Sequence, residues 1–103
     1  MLTEDQIAEF ETTHNRIAHV IGKDKAWEVV VRKPTRSEFK RFKAMVHNPS
    51  QAPDAMEHLI RTCVVYPSRD ALDALLEDFP ALPAAFDSQL AELVGAAADE
   101  TVK

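Results

Sequence analysis

The sequence predicts a mainly α-helical single domain of about five short helices, with one β-hairpin near the N-terminus. Three observations lead to this fold class. The chain has 103 residues, which suits one domain. Apolar residues recur three or four apart in several segments, as they do in amphipathic helices. One further segment alternates apolar and polar residues in the manner of a half-buried strand.

The first helix begins at Thr3, because Thr3 followed by Gln6 is the pattern of a capping box. It is expected to end near His14. Two β-rich runs flank residues 22–25 and predict the hairpin. An alternative stays open: apolar residues on both sides of His14 also fit one helical face, so the first helix would continue to Gly22 and leave a single strand.

The second helix begins after Pro34, which cannot donate to a strand ladder and is followed by a second capping box at Thr35 and Glu38. Its periodicity predicts an apolar stripe and a separate basic face. The stripe consists of Phe39, Phe42, Met45 and Val46, and the basic face of Arg36, Lys40 and Lys43. We expect both phenylalanines to belong to the core.

Three more helices complete the predicted domain. The third spans the apolar positions from Ala55 to Cys63 and stops before Tyr66, and the fourth is capped by Ser68. The last ends at Gly95, a natural helix terminator. The fourth helix has an apolar face of Leu72, Leu75, Leu76 and Phe79 and an acidic face of Asp70, Asp73 and Glu77. We therefore expect one domain over residues 1–95 and a disordered tail over 96–103.

Composition excludes several classes of protein. No apolar run approaches the roughly 20 residues that cross a bilayer, and the N-terminus does not resemble a signal peptide. We expect a cytoplasmic protein with no membrane contact. The single cysteine, Cys63, lies in an apolar run, where a thiol packs more often than it reacts.

The sequence contains none of the common motifs of catalysis. It has no Gly-rich phosphate loop, no CxxC and no HExxH. Its four histidines lie on separate predicted elements, which disfavours a metal site. We expect no enzyme activity, no cofactor and no metal.

The basic stretch over residues 32–43 has three interpretations in a chain of net charge -5. It is a solvated helix face, a phosphate-binding face, or a surface that pairs with acidic protein. The sequence pI of about 5.3 disfavours nucleic acid. Carboxylates concentrate in the C-terminal helices, and this segregation favours contact with those helices or with another copy of the chain. We therefore expect a homo-oligomer.

Residues 26–95 resemble the small tail assembly chaperones of long-tailed bacteriophages and prophages. In those sequences a β element leads into an Arg-x-Pro-Thr-Arg-like helix start, and a Tyr-Pro step leads into a leucine-rich helix and a last helix ending at Gly. The matching positions here are Arg32, Pro34, Thr35, Arg36, Phe39, Phe42, Tyr66, Pro67, Leu72, Leu75, Pro80, Leu82, Leu93 and Gly95.

The resemblance implies a non-enzymatic role in virion assembly, in the cytoplasm of the host bacterium. Proteins of this group bind the tape measure protein before the tail tube polymerises around it, and a longer frameshifted form often exists. A chaperone of this kind needs accessible apolar surface for a helical client, and several copies along one client combine weak contacts.

The expected partner contacts are four cations and three apolar side chains. They are Arg32, Arg36, Lys40, Lys43, Leu72, Leu76 and Phe79. The apolar three are alternatively plain core. Two other functions stay open: a small phage nucleic-acid-binding or regulatory protein, and an acidic inhibitor of a host protein.

Overall fold

The computed structural model of the protein describes residues 2–95. This part of the chain forms five α-helices and a three-stranded antiparallel sheet. The elements are α1 (Glu4–His14), β1 (Ile17–Ile21), β2 (Glu28–Arg32), α2 (Arg36–Val46), α3 (Ala55–Cys63), β3 (Val64–Tyr66), α4 (Arg69–Asp78) and α5 (Asp87–Leu93). The prediction of a mainly α fold is confirmed. The tail expected over 96–103 lies outside the described residues.

Both ends of α1 agree with the sequence. The Thr3 hydroxyl accepts a hydrogen bond from the Gln6 backbone N–H at 3.2 Å, and the Gln6 side chain accepts one from the Thr3 N–H at 2.8 Å. The helix ends at His14 because Asn15 turns into a positive-φ conformation, φ 70°. The alternative of a helix that continues to Gly22 is therefore wrong.

The predicted hairpin is formed by β1 and β2, which pair in register with Ala18 opposite Val31. A 3₁₀ turn over Lys23–Lys25 joins them, and Asp24 takes the left-handed conformation there, φ 57°. Gly22 enters this turn against the indole of Trp27, which occupies the space that a Cβ atom at Gly22 would need. The tight turn therefore depends on glycine at this position.

The hairpin is only part of the sheet, so the prediction of two strands is incomplete. Directly after α3, the strand β3 pairs antiparallel with β2 on the side away from β1, with Val64 opposite Val31 and Tyr66 opposite Val30. A register irregularity separates these two pairs. The run of apolar residues through Cys63 and Val64 fits a buried helix or a strand equally well, and only pairing with β2 decides where the helix ends.

One face of the sheet packs against the helices and forms the hydrophobic core. The indole of Trp27 stacks on the Phe86 ring with 6.4 Å between the ring centroids. Apolar burial of this kind is the main stabilising term of a small domain. The buried cluster consists of Ala18, Val29, Val31, Leu59, Ile60, Cys63, Leu72, Leu76, Leu82, Phe86, Leu90 and Leu93.

The start of the chain is fixed to β2 through Glu28. Its carboxylate accepts a hydrogen bond from the backbone N–H of Leu2 at 2.9 Å and lies 2.7 Å from Nε2 of His19 on β1. Burial alone would raise the pKa of Glu28, but the hydrogen bonds from Leu2 and His19 outweigh it and lower the pKa. This contact was not predictable from local sequence patterns, because Glu28 lies 26 residues after Leu2 and nine after His19.

The capping box of α2 leads to a prediction about stability. Thr35→Ala removes the hydroxyl that accepts from the Glu38 backbone N–H, and the free energy of unfolding should fall by about 1 kcal/mol. Urea unfolding measures this change. Thr3→Ala is the matched comparison, because the same kind of box caps α1, but its neutral Gln6 lacks the ion pair that Glu38 makes with Arg32. Its effect on global unfolding should be smaller. A change at Thr35 within error of zero would contradict the prediction.

Candidate partner-binding surface

The position of α2 is set by a bidentate ion pair, which we call the Arg32–Glu38 brace. Arg32 at the end of β2 donates to both carboxylate oxygens of Glu38 in the first turn of α2, at 2.7 and 2.8 Å. The same guanidinium donates to the Thr62 carbonyl near the end of α3, at 3.3 Å. Glu38 also accepts from the Thr35 N–H at 2.8 Å. The brace thus joins the ends of three elements.

The brace changes the acidity of its members. The hydrogen bond from Arg32 lowers the pKa of Glu38 to about 2 despite the opposing effect of burial, so this carboxylate is ionised at neutral pH. Cys63 lies beside it, with its Sγ 3.9 Å from the Glu38 carboxylate. Burial raises the pKa of the Cys63 thiol to about 11. The expectation that Cys63 packs in the interior is confirmed.

The four predicted cations of the contact surface divide into two kinds. Arg32 is half-buried and directed inward to the brace, so in this conformation it does not offer a free charge to a partner. Arg36, Lys40 and Lys43 lie exposed along one face of α2 and form what we call the basic ridge. The salt bridges recorded over residues 2–95 involve none of these three side chains.

An apolar cleft opens between α2, α3 and α5, and we call it the α2–α5 cleft. Its volume is about 180 Å³. The rings of Phe39 and Phe42, with centroids 5.9 Å apart, form the wall on α2. The other lining residues are Met56, Leu59, Asp87, Leu90, Ala91 and Val94. All but one of the lining side chains are apolar, and the exception is the carboxylate of Asp87.

The apolar stripe of α2 stays partly exposed. Phe42 packs against the core cluster, which agrees in part with the expected core position, whereas Phe39 lies outside that packed set, contrary to the expectation. Both rings are half-buried, and none of the 11 residues of α2 is fully buried. Val46, at the end of the same stripe, is 43% exposed. The physical reason is that α2 lies at the margin of the domain, where α3 and α5 cover only one side of the stripe.

The three predicted apolar anchors lie elsewhere. Leu72 and Leu76 of α4 belong to the core cluster, and Leu72 has no exposed surface. They are therefore core residues in this conformation, as in the alternative interpretation, and are not available to a partner. Phe79 is half-buried at the C-terminal cap of α4 and packs against the same cluster. More accessible apolar side chains lie on α2, where Val46 is exposed, and on β1, where Ile21 is exposed.

The acidic face of α4 is partly occupied within the chain. Asp73 pairs with Arg61 of α3, whose Nε lies 2.9 Å from the carboxylate. Asp70, Glu77 and Asp78 are exposed. Over residues 2–95 no cluster of three or more His, Cys, Asp or Glu side chains is placed to hold a metal ion. Within that range no helix is long and apolar enough to span a bilayer.

The fold and the chain's family follow from comparison with known proteins. The structure is similar to that of the uncharacterised protein rbstp2171 from Bacillus stearothermophilus, with a TM-score of 0.74 and 26% sequence identity over 94% of this chain and 99% of that one. Residues 10–103 match the family described as Domain of unknown function (DUF6848), and the chain belongs to this family. Comparison with curated proteins gives no match.

The brace leads to a prediction about acid stability. The pKa of Glu38 is about 2 in the folded chain against an ordinary 4.5, so its stabilising contribution is complete above about pH 5 and is lost as the pH falls toward 2. Glu38→Gln keeps a residue that closes the capping box but cannot ionise.

Over this pH range the native chain should lose roughly 1–3 kcal/mol more of its unfolding free energy than Glu38→Gln does. Urea unfolding at a series of pH values measures the difference. All other carboxylates titrate in both proteins, so their contributions to the unfolding free energy cancel in the difference. Parallel pH profiles of the two proteins would show that the brace contributes no net stability.

Proposed function

We propose that the protein is a non-catalytic tail assembly chaperone of a long-tailed bacteriophage or prophage. In this role it binds the tape measure protein in the host bacterial cytoplasm and keeps it soluble until the tail tube polymerises. The proposal is supported by the resemblance of residues 26–95 and by one structural observation that carries it. The apolar stripe of α2 is accessible beside the α2–α5 cleft.

A half-open cleft between helices suits a helical client. An amphipathic segment lays its apolar side chains into such a groove at positions i, i+3, i+4 and i+7. Burying the exposed parts of Phe39, Phe42 and Val46 contributes about 25 cal/mol for each Å² of apolar surface removed from water. One small cleft binds weakly. Several copies along one long client reach useful avidity together.

Self-association is the second part of the proposal. The cations of the basic ridge form no salt bridge within residues 2–95, while Asp70, Glu77 and Asp78 expose negative charge on α4. Two copies would contact each other through these surfaces either reciprocally across a two-fold axis or head to tail. Because the basic ridge and the apolar wall of the cleft both lie on α2, self-association and client binding would compete for the ridge.

Nucleic-acid binding is a second candidate function, and one observation favours it. Phe39 is partly exposed next to the cations of the basic ridge, and an accessible ring beside Arg and Lys is what base stacking requires. The net charge of -5 opposes close approach of phosphates. Binding of DNA or RNA is therefore an outcome to be tested with the same variants.

The proposed client site leads to a prediction about Val46. Val46→Glu places a charge on the exposed end of the α2 stripe and should abolish the protection of a co-expressed tape measure protein. Ile21→Glu is the matched control, because Ile21 is 42% exposed on the hairpin and Val46 is 43% exposed. The Ile21→Glu variant should keep the tape measure protein soluble as the native chain does. The measurement is the soluble fraction of the client.

Thermal unfolding of both variants checks that they fold. Two outcomes would contradict the proposal. The client aggregates equally with and without the native chain, or Val46→Glu and Ile21→Glu protect it to the same extent.

The basic ridge leads to a prediction about assembly. Reversing Arg36, Lys40 and Lys43 to Glu together should leave the fold intact and shift the chain toward monomer in analytical ultracentrifugation. High salt should shift the native chain in the same direction, since surface charges are screened. If the native chain instead binds DNA with a steep salt dependence that the triple variant loses, the second candidate function is correct. If the oligomer persists in the triple variant and at high salt, the electrostatic contact does not hold the copies together.

A further inference from the structure

From the position of the basic ridge we infer the chemistry of the partner helix: it carries carboxylates along the edge of its apolar face that lies over α2. This inference rests on the proposed function, because it describes the segment that the α2–α5 cleft takes. The ridge and the apolar wall of the cleft belong to one helix, so a single docked segment contacts both.

The spacing along α2 places the charges next to the cleft. Arg36 lies three residues before Phe39 and Lys43 four residues after it, so both are its neighbours on the helix surface. Lys40 lies between them on the same face. Arg41 is also exposed, but it points to nearly the opposite side of α2 from Lys43. The cations of the ridge therefore lie beside Phe39 on the exposed side of α2.

The opposite wall has the other sign of charge. Asp87, in the first turn of α5, is the carboxylate that lines the cleft. It repels a partner carboxylate on that side and attracts a cation. The apolar cleft is thus flanked by the cations of the ridge on the α2 side and carries a carboxylate at the start of α5. A helix with carboxylates along one edge of its apolar face is attracted in one orientation and repelled in the reverse one.

Charge complementarity favours a helix with carboxylates along one edge of its apolar face over basic or neutral helices. A basic helix is repelled along the ridge, and a neutral apolar helix gains no attraction from the ridge's three exposed cations. A second copy of the chain also offers carboxylates, on α4. A second copy and the partner helix would then compete for the ridge, so binding has to be measured at a concentration where the chain is monomeric.

The test uses synthetic amphipathic helices as probes. One peptide has leucines at positions i, i+3, i+4 and i+7, glutamates along one edge of that face and glutamines along the other. A matched peptide has lysines in place of the glutamates. By isothermal titration calorimetry at low salt, the native chain should bind the glutamate peptide about tenfold more tightly than the lysine peptide. High salt should reduce this ratio.

Two single substitutions on α2 test the position of the contact. Lys43→Glu should weaken binding of the glutamate peptide severalfold and strengthen binding of the lysine peptide. Arg41→Glu changes the net charge equally and should leave both affinities near those of the native chain. Lys43→Gln removes the charge without placing a carboxylate near the end of α2. Its affinity for the glutamate peptide should lie between those of the native chain and Lys43→Glu. It replaces Lys43→Glu as the test if that variant does not fold.

The inference is overturned if the native chain binds neither peptide, if it binds both equally, or if Arg41→Glu and Lys43→Glu have the same effect. Its failure is distinguishable from failure of the proposed function. If charge on the peptide has no effect while Val46→Glu still abolishes protection of the tape measure protein, the proposed function stands without this inference. If the glutamate peptide binds as expected and the tape measure protein aggregates regardless, the inference stands alone.

Discussion

The Arg32–Glu38 brace is the contact on which the arrangement of the candidate surface depends. The helix α2 buries none of its residues completely, so apolar packing alone does not determine where it lies. Arg32 ties its first turn to the end of β2 and, through the Thr62 carbonyl, to the end of α3. A bidentate Arg–carboxylate pair fixes orientation as well as distance. The brace therefore sets the direction in which α2 leaves the sheet.

The residues that hold α2 in place are different from the residues that it offers to a partner. The polar contacts of the first turn hold the helix, and the half-buried side of its apolar stripe packs against α3. The rest of the stripe remains free, with Phe39 on the cleft side and Val46 at its end. A helix held by packing alone would have to bury these residues, and the surface would be lost.

Local features of the fold were predictable from the sequence, and features that depend on distant contacts were not. The capping boxes at Thr3 and Thr35 involve residues three apart, so the sequence shows them directly. The strand β3 exists only because β2 lies beside it. Exposure of Phe39 depends on how far α3 and α5 cover α2. The periodicity of α2 correctly predicts its apolar stripe and its basic face, but it does not predict whether another element covers the stripe.

The candidate site shows the same division. The basic ridge was predictable because its three members repeat along one helix. The inward direction of Arg32 was not, since Arg32 lies six residues before Glu38 and only the turn between β2 and α2 brings the two together. Leu72 and Leu76 have the same spacing in the sequence whether they face a partner or the core. Their burial depends on the rest of the core cluster, whose members extend from Ala18 to Leu93.

The buried thiol of Cys63 makes the junction between α2 and α3 directly observable. Its side chain lies against the carboxylate of Glu38 and has no exposed surface, and with a pKa of about 11 it is protonated at neutral pH. A thiol in this state does not react with alkylating reagents until the surrounding helices separate. Because the chain contains one cysteine, its rate of alkylation measures the opening of the structure around Cys63, through either local separation of this junction or unfolding of the whole domain.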